Sequence, residues 1–174
     1  MFITDMLTDD LPLDKVWDSF DGMFIWHMWE PKLINANEND AFNFCTYLND
    51  RTASWASRKD NRFGRAFVFP GFDDRPIWGW GEGHREIKIT GPKFYKQSWK
   101  AAFDHPYKFN QIMIATFNDY CEGHNITPDQ DRGFELAELT REYINRFKGT
   151  NLPAGEIEKI AKAYKEKPGA IKYR

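Results

Sequence analysis

Residues Gln111-Ile112-Met113-Ile114-Ala115-Thr116-Phe117-Asn118-Asp119-Tyr120-Cys121-Glu122-Gly123 hold the pattern on which the fold turns. The first seven are mostly apolar and do not alternate, which reads as a strand buried on both faces. Polarity then changes abruptly at Asn118-Asp119, and the loop runs to about Asp131. Beyond it, residues 133–148 place Phe134, Leu136, Leu139, Tyr143, Ile144 and Phe147 at helical spacing. The order is strand, acidic loop, helix.

The same order recurs upstream three times. Arg65-Ala66-Phe67-Val68-Phe69 is a strand stopped by Pro70-Gly71. Its loop spans 72–91 and is rich in Gly, Trp and Asp, and Pro92 sits where a helix to about Phe103 would begin. Before that, the turn signal Asp21-Gly22 precedes Met23-Phe24-Ile25-Trp26-His27-Met28-Trp29, a buried strand ended by Pro31 and followed by a helix over 39–57. The first unit is Phe2-Ile3-Thr4, an acid-rich stretch over 5–12, and a helix over 13–20 with Leu13, Val16, Trp17 and Phe20 on one face. A short amphipathic helix over 156–165 closes the chain.

Alternating strands and helices predict an α/β fold with a parallel sheet. Two architectures fit: an open doubly wound sheet, or part of a (β/α)₈ barrel, which typically takes about 250 residues. Four (β/α) units are half of such a barrel. The 174 residues suit one domain with a core of its own. With 41% hydrophobic and 29% charged residues the chain is globular, not disordered. A net charge of -2 argues against nucleic-acid and polybasic membrane partners. The apolar runs are far short of a bilayer span. Met1-Phe2-Ile3-Thr4-Asp5 lacks the basic start of a signal peptide, so the expected location is cytoplasmic if Met1 is the natural start. Cys45 and Cys121 make neither a disulfide framework nor a zinc spacing. Aromatic residues, at 17%, build either a bulky core or a groove with stacking surfaces for sugars or bases.

In both architectures ligands sit beyond the carboxyl ends of the strands. The segments that follow the four strands hold, in turn, Asp5, Asp9 and Asp10; His27, Trp29 and Glu30; Asp73, Asp74, Arg75, Trp78 and Trp80; and Asn118, Asp119, Tyr120, Glu122 and His124. The opposite strand ends carry less of this chemistry. Asp119 and Glu122, three residues apart, face the same way if the turn curls like a helical start. Neighbouring carboxylates push their pKa values apart, so one holds a proton while the other stays ionised. Glycoside cleavage needs that division of labour. The bland alternative is that Asp119 simply caps a helix. No spacing of His or Cys supports a metal, the Asp5–Asp10 stretch lacks a calcium loop's pattern, and no cofactor is implied. Gly79-Trp80-Gly81-Glu82-Gly83 lacks a P-loop lysine and reads as a lid. Of Trp26, His27 and Trp29, the expected groove-lining residues are His27 or Trp29. Cys121 is expected to be a small space-filling side chain, not a nucleophile.

The stretch Ile114–Pro128 resembles the last-strand signature of glycoside hydrolase family 99, the endo-α-mannosidases and endo-α-1,2-mannanases. That signature reads Phe-Asn-Glu-Trp-x-Glu-Gly, followed shortly by Ile-Glu-Pro. The stretch is also similar to Trp-Asn-Asp-Tyr-x-Glu-Ser of the family 71 endo-α-1,3-glucanases. Phe69-Pro70-Gly71-Phe72-Asp73-Asp74 with Arg75 and Arg85 is similar to the Pro-Gly-x-Asp-Asp loop of this group, and Gly91, Tyr95 and Trp99 to the helix after it. The likeness covers residues 60–148 well and 1–59 in outline. In this chain Asp119 stands for Glu, Tyr120 for Trp, and Thr127 for the Glu before Pro128.

The resemblance implies the C-terminal half of a (β/α)₈ barrel acting on α-linked glycans, α-mannan or α-glucan. It implies one partial-barrel domain over 1–174, with 150–174 a helical extension. Asp119 and Glu122 take the catalytic roles. In the mannosidase manner Asp119 assists attack by a substrate 2-hydroxyl and Glu122 is the acid, then the base. In the glucanase manner the pair directs a single water displacement with inversion. Substrate contacts are expected from Asn118, Tyr120, His124, Asp73, Asp74, Arg75, His27 and Trp29. The expected partner is an oligosaccharide or polysaccharide, with no nucleic acid and no membrane. A half-barrel leaves two unpaired strand edges, so self-association or a separate N-terminal half is expected, and an unaided monomer is expected to be weakly active or inactive. Two alternatives stand beside the hydrolase: a non-catalytic carbohydrate-binding or polysaccharide-biosynthesis-associated barrel module, and a small doubly wound domain of unrelated function.

Overall fold

The computed structural model describes residues 3–6, 19–26, 28–77 and 85–166. Within them the chain forms two compact units, Met1–Asn125 and Ile126–Arg174. The first holds a four-stranded sheet in the order β1-β2-β3-β4, with β1 Ile3–Met6, β2 Gly22–Ile25, β3 Phe63–Val68 and β4 Gln111–Ile114. Every pairing is parallel. The strands follow one another in chain order, so the sheet has no point at which the order reverses. A doubly wound sheet requires that reversal, and sequential parallel strands are the winding of a barrel. The expected α/β class and barrel-type units are what the chain forms.

Helix α1, Glu38–Ala56, lies between β2 and β3 in the chain, and α2, Pro92–Asp104, between β3 and β4. Asn37 starts α1 with a reciprocal cap. Its Oδ1 accepts from the N–H groups of Asn39 (2.8 Å) and Asp40 (3.2 Å), and Asp40 Oδ2 accepts from the N–H of Asn37 (2.9 Å). Ala41, Phe44, Cys45, Leu48 and Thr52 then make one buried stripe. Gly91, at φ +64°, turns the chain into α2, and Pro92 opens it as expected. Phe94, Tyr95, Ser98 and Trp99 are buried. The two helices pack on each other and on β3. Gly64 is the contact point: a Cβ there would lie 2.9 Å from the carbonyl oxygen of Thr52, so α1 approaches the strand as closely as its backbone allows.

Two strands are shorter than expected. The run 23–29 pairs as a strand only to Ile25, because the ladder between β2 and β3 ends at Met23↔Gly64. Farther up β3, the N–H of Phe67 is taken by the side chain of Asn49 (3.0 Å), a fully buried residue of α1. No donor remains there for β2. The run 111–117 is a strand only to Ile114. Ala115 N–H still donates to Val68 O (2.9 Å), and Thr116 N–H, on the opposite side of the strand, is taken by His124 O (2.8 Å) from the chain's own loop. The expected helix over 13–20 and the Gly79–Gly83 lid fall mostly or wholly outside the described residues.

The second unit holds α3, Glu135–Lys148, and α4, Glu156–Glu166. Gly149, at φ +65°, ends α3 in the left-handed conformation. Asn145 then holds the exit: its Oδ1 accepts from Leu152 N–H (2.8 Å) and Thr150 Oγ1 (2.9 Å). Gly155 N–H donates to Glu138 Oε1 (3.1 Å), which fixes the entry to α4. Among the described residues no helix is long and apolar enough to cross a membrane.

Candidate active site

The carboxyl ends of β2, β3 and β4 converge on one imidazole. His124 has no exposed surface. Phe72, from the segment after β3, stacks on it at a centroid distance of 6.1 Å and 12° between planes. Trp26, from the end of β2, meets it edge-on at 6.3 Å and 80°. The loop after β4 supplies His124 itself, and Thr116 N–H bonded to His124 O closes that loop at its base.

Asp119 and Glu122 both reach this imidazole. Glu122 Oε2 lies 2.8 Å from His124 Nε2, and Asp119 Oδ2 lies 3.6 Å from the same nitrogen. No helix begins here; residues 118–123 form tight turns. Thr116 Oγ1 accepts from Asp119 N–H (3.0 Å), and Asp119 Oδ1 accepts from Glu122 N–H at 3.3 Å. The cap-like bond of the bland alternative is therefore present, without the helix it would start. It bends the loop so that both carboxylates point the same way. The side chain of Asp119 is 39% exposed and that of Glu122 16% exposed, so both reach solvent and the second is the more sheltered.

The loop after β3 is stitched to this centre. Asp73 N–H donates to Glu122 O (2.9 Å). Gly123, at φ +67°, lets the two loops touch: a Cβ there would lie 3.1 Å from the Cβ of Asp73. Asp73 grips Arg75 at Nε (2.8 Å) and at Nη2 (2.6 Å), and Glu86 holds Nη1 of the same guanidinium (2.6 Å). The hydrogen bond and charge of Asp73 hold the Arg75 pKa above its ordinary value. Asp74, 2% exposed, accepts from Arg85 Nε (2.6 Å), and the Arg85 guanidinium lies over the rings of Phe72 (5.1 Å) and Trp29 (6.0 Å). Trp29 Nε1–H donates to Glu86 O (3.3 Å).

The expected site residues thus take different places. Asp119, Glu122 and His124 come together, with Asp73 attached to them through the backbone. Asn118 and Tyr120 are exposed beside the pair, Tyr120 at 54%. Arg75 is exposed in its own ion-pair network. Asp74 and His124 are buried and present no surface to a sugar. Trp29 belongs to the Arg85–Glu86 wall, and it is Trp26 that touches His124. His27 lies outside the described residues, as do Trp78 and Trp80. Cys121 is exposed, so it fills no interior space. Sequence reasoning missed Phe72 and Phe117, the latter 69% exposed at the rim. Only its place at the end of the β4 run could have flagged Phe117.

One ligand atom from each of Asp119, Glu122 and His124 fits within 4.8 Å of the others, a donor set wide enough for a cation. A ligating imidazole ordinarily has its second nitrogen bonded to a partner that orients it. Among the described residues His124 Nδ1 is buried with no hydrogen-bond partner. The geometry therefore fits a ring that serves carboxylates better than one that serves a metal.

No protein-family model matches the sequence, and no curated protein matches it. Solved structures do. Two of them are of a family 99 endo-alpha-mannosidase from Bacteroides thetaiotaomicron, one in complex with bis-tris-propane. They match with TM-scores of 0.53 and 0.52 at 19% identity, over 86% and 88% of this chain. The match takes up only 47% and 46% of those chains, so this chain spans about half their length. At that identity the likeness establishes architecture: the chain has a glycoside hydrolase-like α/β fold that matches part of the family 99 barrel.

Proposed function

We propose that this chain is the catalytic-face portion of a glycoside hydrolase acting on α-linked glycans, with Asp119 and Glu122 as its acid and base pair. The observation that carries the reading is the meeting of both carboxylates on His124 Nε2, at the carboxyl end of a parallel strand. A barrel enzyme keeps its reacting groups at that end. One oxygen of each carboxylate lies within 4.8 Å of the other, close enough for both groups to act on one sugar ring. Asn118 and Tyr120 hold the sugar. Asp73 and Arg75 shape the rim, and Asp74 and His124 support it from behind.

The test is turnover of α-mannan and α-1,3-glucan oligosaccharides, with the product anomer followed by NMR. The anomer separates the two routes: retention belongs to the mannosidase manner and inversion to the glucanase manner. Asp119→Asn and Glu122→Gln are each expected to lower turnover at least about 10²-fold while sugar binding persists. Turnover unchanged in both variants would sink the assignment. One observation favours a second reading, the carbohydrate-binding module: the rim beside the pair is open at Phe117 and Tyr120. That module binds the same oligosaccharides with no turnover before or after substitution.

A further inference from the structure

Among the described residues the sheet ends in two unpaired edges: β1 pairs only with β2, and β4 only with β3. The ladder shows which amides are open. In a parallel ladder alternate residues turn both N–H and C=O to the same neighbour. Ala115 N–H donates to Val68 O, so Met113 also faces β3, and Ile112 and Ile114 present their amides to the free side. All four residues of β4 are only half-buried. Phe24 and Trp26 are half-buried as well. Just past β4, Phe117 and Tyr120 are exposed. Free amides flanked by apolar side chains make an edge that pairs with another chain.

The occupant has to meet three conditions. It must bring strands parallel to β4 on one side and parallel to β1 on the other. It must bring four of them, because a parallel barrel of this kind closes at eight. It must also stand in for the half of the matched barrel that this chain does not span. A second copy meets all three: its β1 is a parallel neighbour for β4 and its β4 for β1, and its four strands stand in for the half of the matched barrel that one copy does not span. A two-fold axis along the barrel then closes the ring with no edge left over, whereas a junction that failed to close would grow into a filament. A net charge of -2 per copy opposes this little.

We propose that two copies of this chain close one eight-stranded parallel barrel through two β4–β1 junctions. In that ring the carboxyl end of the neighbouring β1, with Asp5 one residue from its end, takes a position beside the carboxyl end of β4. The rim around Asp119 and Glu122, open in one copy, is completed by the other. The inference rests on the sheet edges and is independent of the hydrolase reading.

Sedimentation velocity of the full chain across a micromolar dilution series tests it. The expected species has twice the 20.5 kDa chain mass. Ile112→Pro removes an N–H that faces the free edge, where proline is tolerated, and Ile114→Lys places a charge on the same edge. Each is expected to weaken association about tenfold or more while the circular dichroism is kept. Met113→Pro, which removes a bond to β3, is expected to unfold the sheet and serves as the control. A monomer throughout the series, polymers larger than two copies, or a dimer indifferent to both folded edge variants would each overturn the proposal.

Discussion

His124 and the two cysteines show how far a single residue's surroundings decide its behaviour. His124 is enclosed by Phe72 and Trp26 and bonded to Glu122. Truncation to alanine removes a ring from a packed site and frees a carboxylate, so His124→Ala is expected to cost about 2–4 kcal/mol in urea unfolding. Cys45 is fully buried, and burial pushes its thiol pKa up beyond the range in which proteins are handled. Cys121 is exposed. A thiol reagent is expected to label one cysteine in the native chain, at position 121, and the second only after unfolding. The sign of the pH effect follows from the raised value. The unfolded chain loses the Cys45 proton above the ordinary thiol pKa of about 8.5 while the folded chain keeps it, so stability falls as pH rises from there, by about 1.4 kcal/mol per unit. Cys45→Ala is expected to flatten that alkaline fall in a series of denaturation curves. The chain's order identifies Asp119 and Glu122 as a pair, since three residues of spacing is a local matter. It does not show that His124 lies between them, because that follows from Thr116 N–H turning to His124 O across the loop.

At the scale of the element, the boundaries of the helices could be read from local chemistry and the lengths of the strands could not. Asn37, Pro92 and Gly149 punctuate α1, α2 and α3 through caps and φ preferences that act within a few residues. A strand ends where its neighbour stops offering partners. Trp26, Met28 and Trp29 are as apolar as Met23 to Ile25, yet Trp26 leaves the ladder because a helix side chain, Asn49, has taken the amide it would have faced. Asn49→Ala strands the Phe67 N–H in the interior, which is expected to cost about 1–3 kcal/mol. Amide exchange at Phe67 is expected to accelerate more than at Ala66, whose position in the β3–β4 ladder is unchanged.

For the molecule as a whole, the informative feature is the strand order. Four parallel strands in unbroken sequence, with a helix between β2 and β3 and another between β3 and β4, tell a barrel half from a doubly wound domain without reference to any side chain. The repeat of strand, acidic loop and helix made the α/β class legible, but it fits both architectures, and the strand order alone separates them. What covers the edges was not legible, because edge chemistry depends on which amides the ladder leaves over. Hydrogen exchange reports on this directly. On dilution, amides of Ile112 and Ile114 are expected to lose protection while Met113 and Ala115 keep theirs.

The bond from Asp73 N–H to Glu122 O has a consequence for engineering. It ties the acidic loop to a neighbouring one, while Phe72 and Trp26 brace the ring behind it. The placing of the two acids over the His124 ring is therefore a property of three chain segments that lie far apart in sequence. Transplanting residues 111–125 into an unrelated scaffold would carry both acids along and lose that placement. A graft that keeps it has to include residues 69–77 and Trp26 as well.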